Sequence, residues 1–234
     1  MMKPRVLVTL NAVEVDGRPT HQVREHHLRA LRAAGLLPVL AAGSLALDEL
    51  DALQEMCQAL YLPGGDYVPE WLGESDDESA RAAQRAGLTW DPLKVRADLH
   101  LLGRAWARGI PTLGVCGGFQ AMVIRAGGSL RCCAEDELAR HASVTEAEPF
   151  TAIGPVTREV FDGGCAGNSF HRQTVRELDG PLAVGATSAD GLVEAVEAAR
   201  ERHPFWLGLQ WHPELLDDLR PYRALREAAG RPPR

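Results

Sequence analysis

No apolar run in this 234-residue chain approaches the ~20 residues that a bilayer-spanning helix needs, so an integral helical membrane protein is excluded. Positive charge is also scarce. The formal net charge is -7, and no basic patch or interleaving of aromatics with Lys and Arg appears. Phosphate backbones and anionic membranes are therefore disfavoured, and neither nucleic acid nor membrane is an expected partner. The five cysteines are an odd number, which argues against a disulfide framework. A secretory leader is not expected either: Met1-Met2-Lys3-Pro4-Arg5 leads straight into Val6–Leu10, too short an apolar core for a signal peptide. Reduced thiols in a cytoplasmic protein are the expectation. There is neither a repeat nor a linker, so residues 1–234 are read as a single domain. The 45% hydrophobic content is ordinary for a domain with a substantial core.

What is present is an alternation of strand and helix patterns. Val6–Leu10 reads as a buried strand, and Thr20–Ala34 as a helix stopped by Gly35. Leu37–Leu40 follows as a strand, Leu45–Cys57 as a helix and Ala59–Leu62 as a strand ending at Pro63-Gly64-Gly65. Asp66–Trp90 is polar and irregular, reads as a surface excursion, and includes a short helical stretch over Glu78–Ala86. Asp91 and Pro92 open a helix with an apolar stripe of Val95, Leu99, Leu102 and Trp106, closed by Gly109. After a strand to Val115, Phe119–Ala126 reads as helix and 127–184 as short strands and turns. Leu192–Val196 and Phe205–Gln210 read as strands, and Glu214–Ala229 as the closing helix. This order predicts an α/β fold, a mostly parallel sheet with helices on both faces and a smaller antiparallel part. Sites in such sheets form outside the carboxyl ends of strands. Three segments meet that condition: Pro63–Asp66, Gly114–Gly118 and Gln210–Glu214.

Gly114-x-Cys116-x-Gly118 has the spacing of a nucleophile elbow, where a strand turns sharply into a helix. Cys116 would then sit at a helix start, whose dipole and free N–H groups favour a thiolate. The Gly117 N–H would be aimed at the same point as an oxyanion donor. Taken alone, the pattern equally fits a small buried cysteine in a glycine-rich turn. A thiol nucleophile needs a base, and His212 follows a predicted strand, with Pro213 stiffening the turn. Glu214, two residues on, faces the same side of an extended segment and can hold one tautomer of the ring.

These residues carry a family resemblance. Leu62–Asp66, Gly114–Gln120, Asn168–Gln173 and Gly208–Glu214 resemble class I glutamine amidotransferase domains, as do Gly127–Leu130 and Asp190–Ala195. The closer likeness is to the gamma-glutamyl hydrolase branch, which includes gamma-glutamyl-gamma-aminobutyrate hydrolases. The resemblance spans nearly the whole chain and implies a three-layer αβα sandwich of the flavodoxin-like, class I glutaminase kind. It implies that Cys116 attacks a gamma-glutamyl carbonyl to form a thioester, that His212 shuttles the proton and that Glu214 orients His212. An oxyanion hole of Gly117 with the Gly64-Gly65 pair, and a glutamyl subsite of Gln120, Ser169 and Phe170 beside Gly64, are further implications. No metal and no organic cofactor are implied. Two positions depart from the branch: Gly117 stands where Arg is usual, and Arg172 where a second His is common. Both lie toward the leaving group, and the identity of the amine stays open. Cys132-Cys133 also replaces a polar pair.

Other features are set aside. Cys132, Cys133 and His141 lack the spacing of a zinc site. His21, His26 and His27 read as ordinary, partly exposed side chains of the first helix. The acidic run Glu74–Glu78 reads as a solvated loop, and Tyr67, Trp71 and Trp90 either as loop packing or as an aromatic wall. The leading reading is a stand-alone cysteine hydrolase of small gamma-glutamyl amides. The alternatives are a glutaminase subunit passing ammonia to a partner synthase and a catalytically silent binding module. A homodimer is left open.

Overall fold

The computed structural model describes residues 2–65, 87–88, 91–162 and 164–231. The expected excursion Asp66–Trp90, with its helical stretch, acidic run and aromatics, falls almost entirely outside the described residues.

Among the described residues the central sheet has ten strands. Its parallel half runs β3 (Leu37–Ala42), β1 (Arg5–Val15), β4 (Ala59–Leu62), β5 (Thr112–Val115) and β12 (Trp206–Leu209). From β12 the sheet continues antiparallel through β11 (Val193–Ala198), β10 (Leu182–Thr187), β7 (Ser143–Ala152) and β8 (Cys165–Ser169). β2 (Arg18–Gln22) hairpins onto the far end of β1, and β6 (Ser129–Cys132) pairs with β9 (Gln173–Glu177) in a separate ribbon.

The period-2 alternation of strand side chains divides the core between the two faces. Val6, Val8, Tyr61, Val115 and Leu209 pack on one face, against α1 (Glu25–Ala33), α6 (Pro155–Val160) and α7 (Arg220–Ala229). Leu7, Leu60, Leu62 and Trp206 pack on the other face, against α2 (Leu47–Glu55), α3 (Pro92–Arg108) and α4 (Gly117–Arg125). The αβα layering expected from the sequence is the layering observed. A short α5 (Glu135–Arg140) lies between β6 and β7.

α3 begins and ends where its caps dictate: the Asp91 side chain accepts from the Leu93 N–H, and Gly109 takes the left-handed conformation at φ 63°. Two stretches differ from expectation. The predicted helix over Thr20–Ala34 starts only at Glu25, because β1 runs on to Val15 and Arg18–Gln22 folds back on it as β2, taking Thr20 and His21 into the ladder. The predicted closing helix over Glu214–Ala229 is broken. A single 3₁₀ turn holds Pro213–Leu215, Asp217 lies at φ 52°, and α7 begins at Arg220.

Candidate active site

β4, β5 and β12 are neighbours in parallel register, Leu62 opposite Gly114 and Leu209 opposite Val115, so the segments after them emerge side by side. Cys116 caps α4 at φ 52°, ψ -106°, a conformation costing about 1–3 kcal/mol that its surroundings enforce. Its N–H donates to the Leu209 carbonyl (2.7 Å) and its carbonyl accepts from the Gln120 N–H (3.0 Å). The flanking glycines are needed for close approach rather than for the turn alone. A Cβ on Gly118 would stand 2.2 Å from the Leu62 carbonyl oxygen, and one on Gly117 would stand 2.2 Å from the Gly65 oxygen and 2.3 Å from its nitrogen. The turn after β4 is pressed onto the start of α4, which brings Gly65 and Gly117, the expected oxyanion pair, together. It also gives a physical reason for Gly117 where the related branch has Arg: the Gly65 backbone occupies the space a side chain would take. Asn11 Nδ2 donates to the Gly64 carbonyl (3.3 Å) and Lys94 Nζ to that of Pro63 (3.4 Å), fixing the turn. The Lys94 ammonium is itself paired with Asp98 in the buried layer beneath.

A Cβ built on Gly64 would lie 3.8 Å from Cys116 Sγ and 3.6 Å from His212 Cε1, so sulfur and imidazole flank one point. His212 Nδ1 donates to Glu214 Oε1 at 2.6 Å, as the spacing predicted. Among the described residues no hydrogen bond of ordinary geometry reaches the buried Nε2, which leaves it available for a proton in transit. The ring is held further by its backbone N–H on Asn168 Oδ1 (2.9 Å) and by Phe170, stacked at 4.5 Å between centroids. Burial opposes charge on His212, but the neighbouring Cys116 sulfur and Glu214 outweigh it and raise the imidazole to about 10. Burial would likewise raise the Glu214 carboxyl, yet the hydrogen bond and charge of His212 prevail and hold it low. An imidazolium held by a carboxylate beside the Cys116 sulfur is the arrangement that results. Burial instead pushes the Cys57 and Cys165 thiols up to about 11 and about 12, which leaves them unreactive.

Glu214 is also gripped from behind. The Tyr222 hydroxyl donates to Oε2 (3.2 Å), His27 Nδ1 stands 3.4 Å from Oε1, and the Tyr61 hydroxyl bridges His27 (2.6 Å) and Tyr222 (3.4 Å). His27 is therefore not the partly exposed side chain expected. It is 5% exposed, because α1 turns its inner face onto the sheet, whereas His26 is exposed at the edge of the cavity and His21 sits on β2. Three residues that sequence reasoning missed, His27, Tyr61 and Tyr222, come from three separate elements and carry no shared motif.

These groups border one cavity of about 790 Å³. Cys116, His212 and Glu214 line it, as do Gly64, Gly65, Gln120 and Phe170 among the other expected residues. Ser169 is not on the wall; it lies buried behind it, its hydroxyl on His141. Gln120 Nε2 donates to Gln210 Oε1 (3.3 Å), which ties the first turn of α4 to the end of β12. Such a set can hold an anionic sulfur, move one proton and offer backbone donors beside them.

The chain is similar to known proteins in sequence and in fold. Residues 6–214 match the peptidase C26 family. The gamma-glutamyl-gamma-aminobutyrate hydrolase PuuD of Escherichia coli (strain K12) is 32% identical over 231 residues, covering 92% of this chain and 87% of the relative. A gamma-glutamyl-gamma-aminobutyrate hydrolase of Shigella sonnei (strain Ss046) matches to the same extent. Among solved structures, the glutaminase domain of Trypanosoma brucei CTPS with bound acivicin shares the fold at a TM-score of 0.68 and 16% identity, over 97% of this chain and 93% of that one. The chain thus belongs to the peptidase C26 family and is an enzyme of the class I glutamine-amidotransferase type.

Proposed function

We propose that the protein hydrolyses the gamma-glutamyl amide bond of a small gamma-glutamyl compound, with residues 1–234 acting as one domain. The observation that carries this reading is the convergence of Cys116, at a strained strand-to-helix turn, with the His212–Glu214 pair on one cavity. The Cys116 sulfur adds to the gamma-carbonyl, and the electron pair moves to oxygen, stabilised by the N–H groups of Gly65 and Gly117. Collapse of the tetrahedral intermediate breaks the C–N bond as His212 gives its proton to the leaving amine. Water then attacks the thioester, losing a proton to His212, and glutamate leaves with Cys116 regenerated. Glu214 holds the ring tautomer and stabilises the imidazolium. Gly64, Gln120 and Phe170 border the glutamyl group, with Ser169 acting through the wall behind them. The names of the 32%-identical relatives support a gamma-glutamyl amino acid such as gamma-glutamyl-gamma-aminobutyrate as substrate. The cavity, at about 790 Å³, is large enough for a leaving group beyond ammonia.

The test is glutamate release from glutamine, gamma-glutamyl-aminobutyrate, gamma-glutamyl peptides and polyglutamates. At least one should be cleaved by the protein alone, and Cys116→Ala should lower kcat/KM at least about a thousandfold. A glutamine-mimicking electrophile should add one covalent mass to the wild type and none to Cys116→Ala. Labelling at Cys57 or Cys165 would overturn the assignment. A second reading, a glutaminase subunit serving a synthase, draws on the fold shared with the CTPS glutaminase domain. It predicts weak activity on glutamine alone and strong stimulation when a partner is added.

A further inference from the structure

A second cluster of ionisable groups stands on the wall of the same cavity and takes no part in the chemistry above. His141, His171 and Glu194 are all buried, and one ligand atom from each lies within 4.8 Å of the others. Glu194 Oε1 is 3.3 Å from His171 Nε2 and 3.8 Å from His141 Nδ1.

The outer hydrogen bonds of the two rings decide what faces the carboxylate. His141 Nε2 contacts Asp190 Oδ2 (3.1 Å), and His171 Nδ1 contacts the Gln173 carbonyl (2.9 Å). Both partners only accept, so both outer nitrogens carry hydrogen. In neutral rings the inner nitrogens, His141 Nδ1 and His171 Nε2, are then the lone-pair atoms; both lie beside one carboxylate oxygen, and His141 Nδ1 also meets the Ser169 hydroxyl. A cation bound between them would replace the proton that bridges His171 Nε2 and Glu194 Oε1 (3.3 Å) and would neutralise the buried carboxylate. Glu194 Oε2 is also buried and, among the described residues, has no hydrogen-bond partner. An imidazole whose outer N–H is held by a carboxylate or a backbone carbonyl is the usual support of a metal ligand. Here both imidazoles have it. Asp190 is in turn oriented by Ser188 Oγ (2.6 Å) and Arg140 Nε (3.0 Å), so the supporting shell is itself fixed.

We infer that His141 Nδ1, His171 Nε2 and Glu194 form a binding site for one divalent ion of the zinc class, a site distinct from the Cys116–His212 pair. Zinc bonds of about 2.0–2.1 Å at the tetrahedral angle hold donor atoms about 3.4 Å apart, close to the separations from Glu194 Oε1. Two imidazoles and one carboxylate suit zinc or cobalt better than magnesium or calcium. His141 and His171 both line the cavity, so the fourth position opens toward it, as in sites that bind water or an exogenous ligand. Cys133 is no ligand of this site: its sulfur lies 3.8 Å from the opposite nitrogen of His171. The three ligands come from the end of α5, the turn after β8 and the start of β11, so no local spacing announces them.

The site is tested with Cys116→Ala full-length protein, stripped by chelator, so that the elbow thiol cannot compete. Cobalt(II) is added and followed by visible absorption and equilibrium dialysis. One ion per chain is expected, with the intense ligand-field bands of a low-coordinate site and no sulfur-to-metal charge transfer. Glu194→Gln or His171→Gln in that background should weaken binding at least about a hundredfold, and Asp190→Asn about tenfold. Absence of binding at millimolar cobalt, a sulfur charge-transfer band, or binding unaltered by these substitutions would overturn the inference. Should far-UV circular dichroism find the variants unfolded, X-ray absorption of zinc-loaded Cys116→Ala protein decides. Two imidazoles with an oxygen ligand support the site, and sulfur or fewer than two imidazoles refutes it.

Discussion

At the scale of single residues, the proposed acid–base pair depends on a carboxylate that the fold grips with neutral groups. Burial keeps the Tyr61 and Tyr222 hydroxyls protonated, and His27 adds a third polar contact without adding positive charge at neutral pH. Tyr222→Phe removes one donor from the buried Glu214 while His212 keeps its own hydrogen bond. The expected cost is about 1.5–3 kcal/mol of stability, read by urea denaturation, with kcat falling less than tenfold. Glu214→Ala, which also frees the His212 ring, should lose far more kcat. The difference in legibility at this scale has a simple cause. Cys116, His212 and Glu214 stand in short motifs whose spacing encodes their geometry, whereas His27, Tyr61 and Tyr222 meet only after α1, β4 and α7 have packed. A His on an amphipathic helix looks the same in sequence whether its face meets solvent or a catalytic carboxylate.

At the scale of elements, the strands and helices with strong local punctuation were legible, α3 between Asp91 and Gly109 above all. Where the sequence misleads, tertiary pairing overrides it. Thr20–Gln22 has no local reason to leave a helix, but β1 extends past Asn11 and offers an edge. The glycines around Cys116 suggested a turn, and packing adds a second reason for them. Gly117→Ala would drive a methyl group to 2.2 Å from the Gly65 backbone, which has no flexible end to yield. Thermal denaturation should show a loss of about 1–3 kcal/mol, with hydrolysis falling further because Gly65 moves with the strain. Gly230→Ala is the matched control. Its φ is -84° and a Cβ there meets only ordinary contacts at 3.6 Å, so stability should be unchanged or up to about 1 kcal/mol higher.

At the scale of the whole molecule, the sheet changes from parallel to antiparallel at β12, and the proposed triad sits where β5 and β12 end side by side. Placing ionisable groups in that centre ties global stability to pH in two directions. Burial, aided by the charge of His212, outweighs the pull of Glu214 and lowers His27 from 6.5 to about 4. Between those values the unfolded chain binds a proton that the folded chain refuses, so stability falls as pH drops through the window. The contribution is at most about 3 kcal/mol. His212 behaves oppositely: raised from 6.5 to about 10 against burial by Cys116 and Glu214, it adds stability that is complete below 6.5 and is lost as pH rises through about 10. Melting temperatures measured from pH 4 to 10 should therefore descend on both sides of neutrality. His27→Gln should flatten the acid limb and leave the alkaline one, and Cys116→Ala, which removes one of the two groups that raise His212, should reduce the alkaline limb alone. Identical slopes in wild type and both variants would mean that neither imidazole carries the linkage, and the electrostatic account of the site would fail with it.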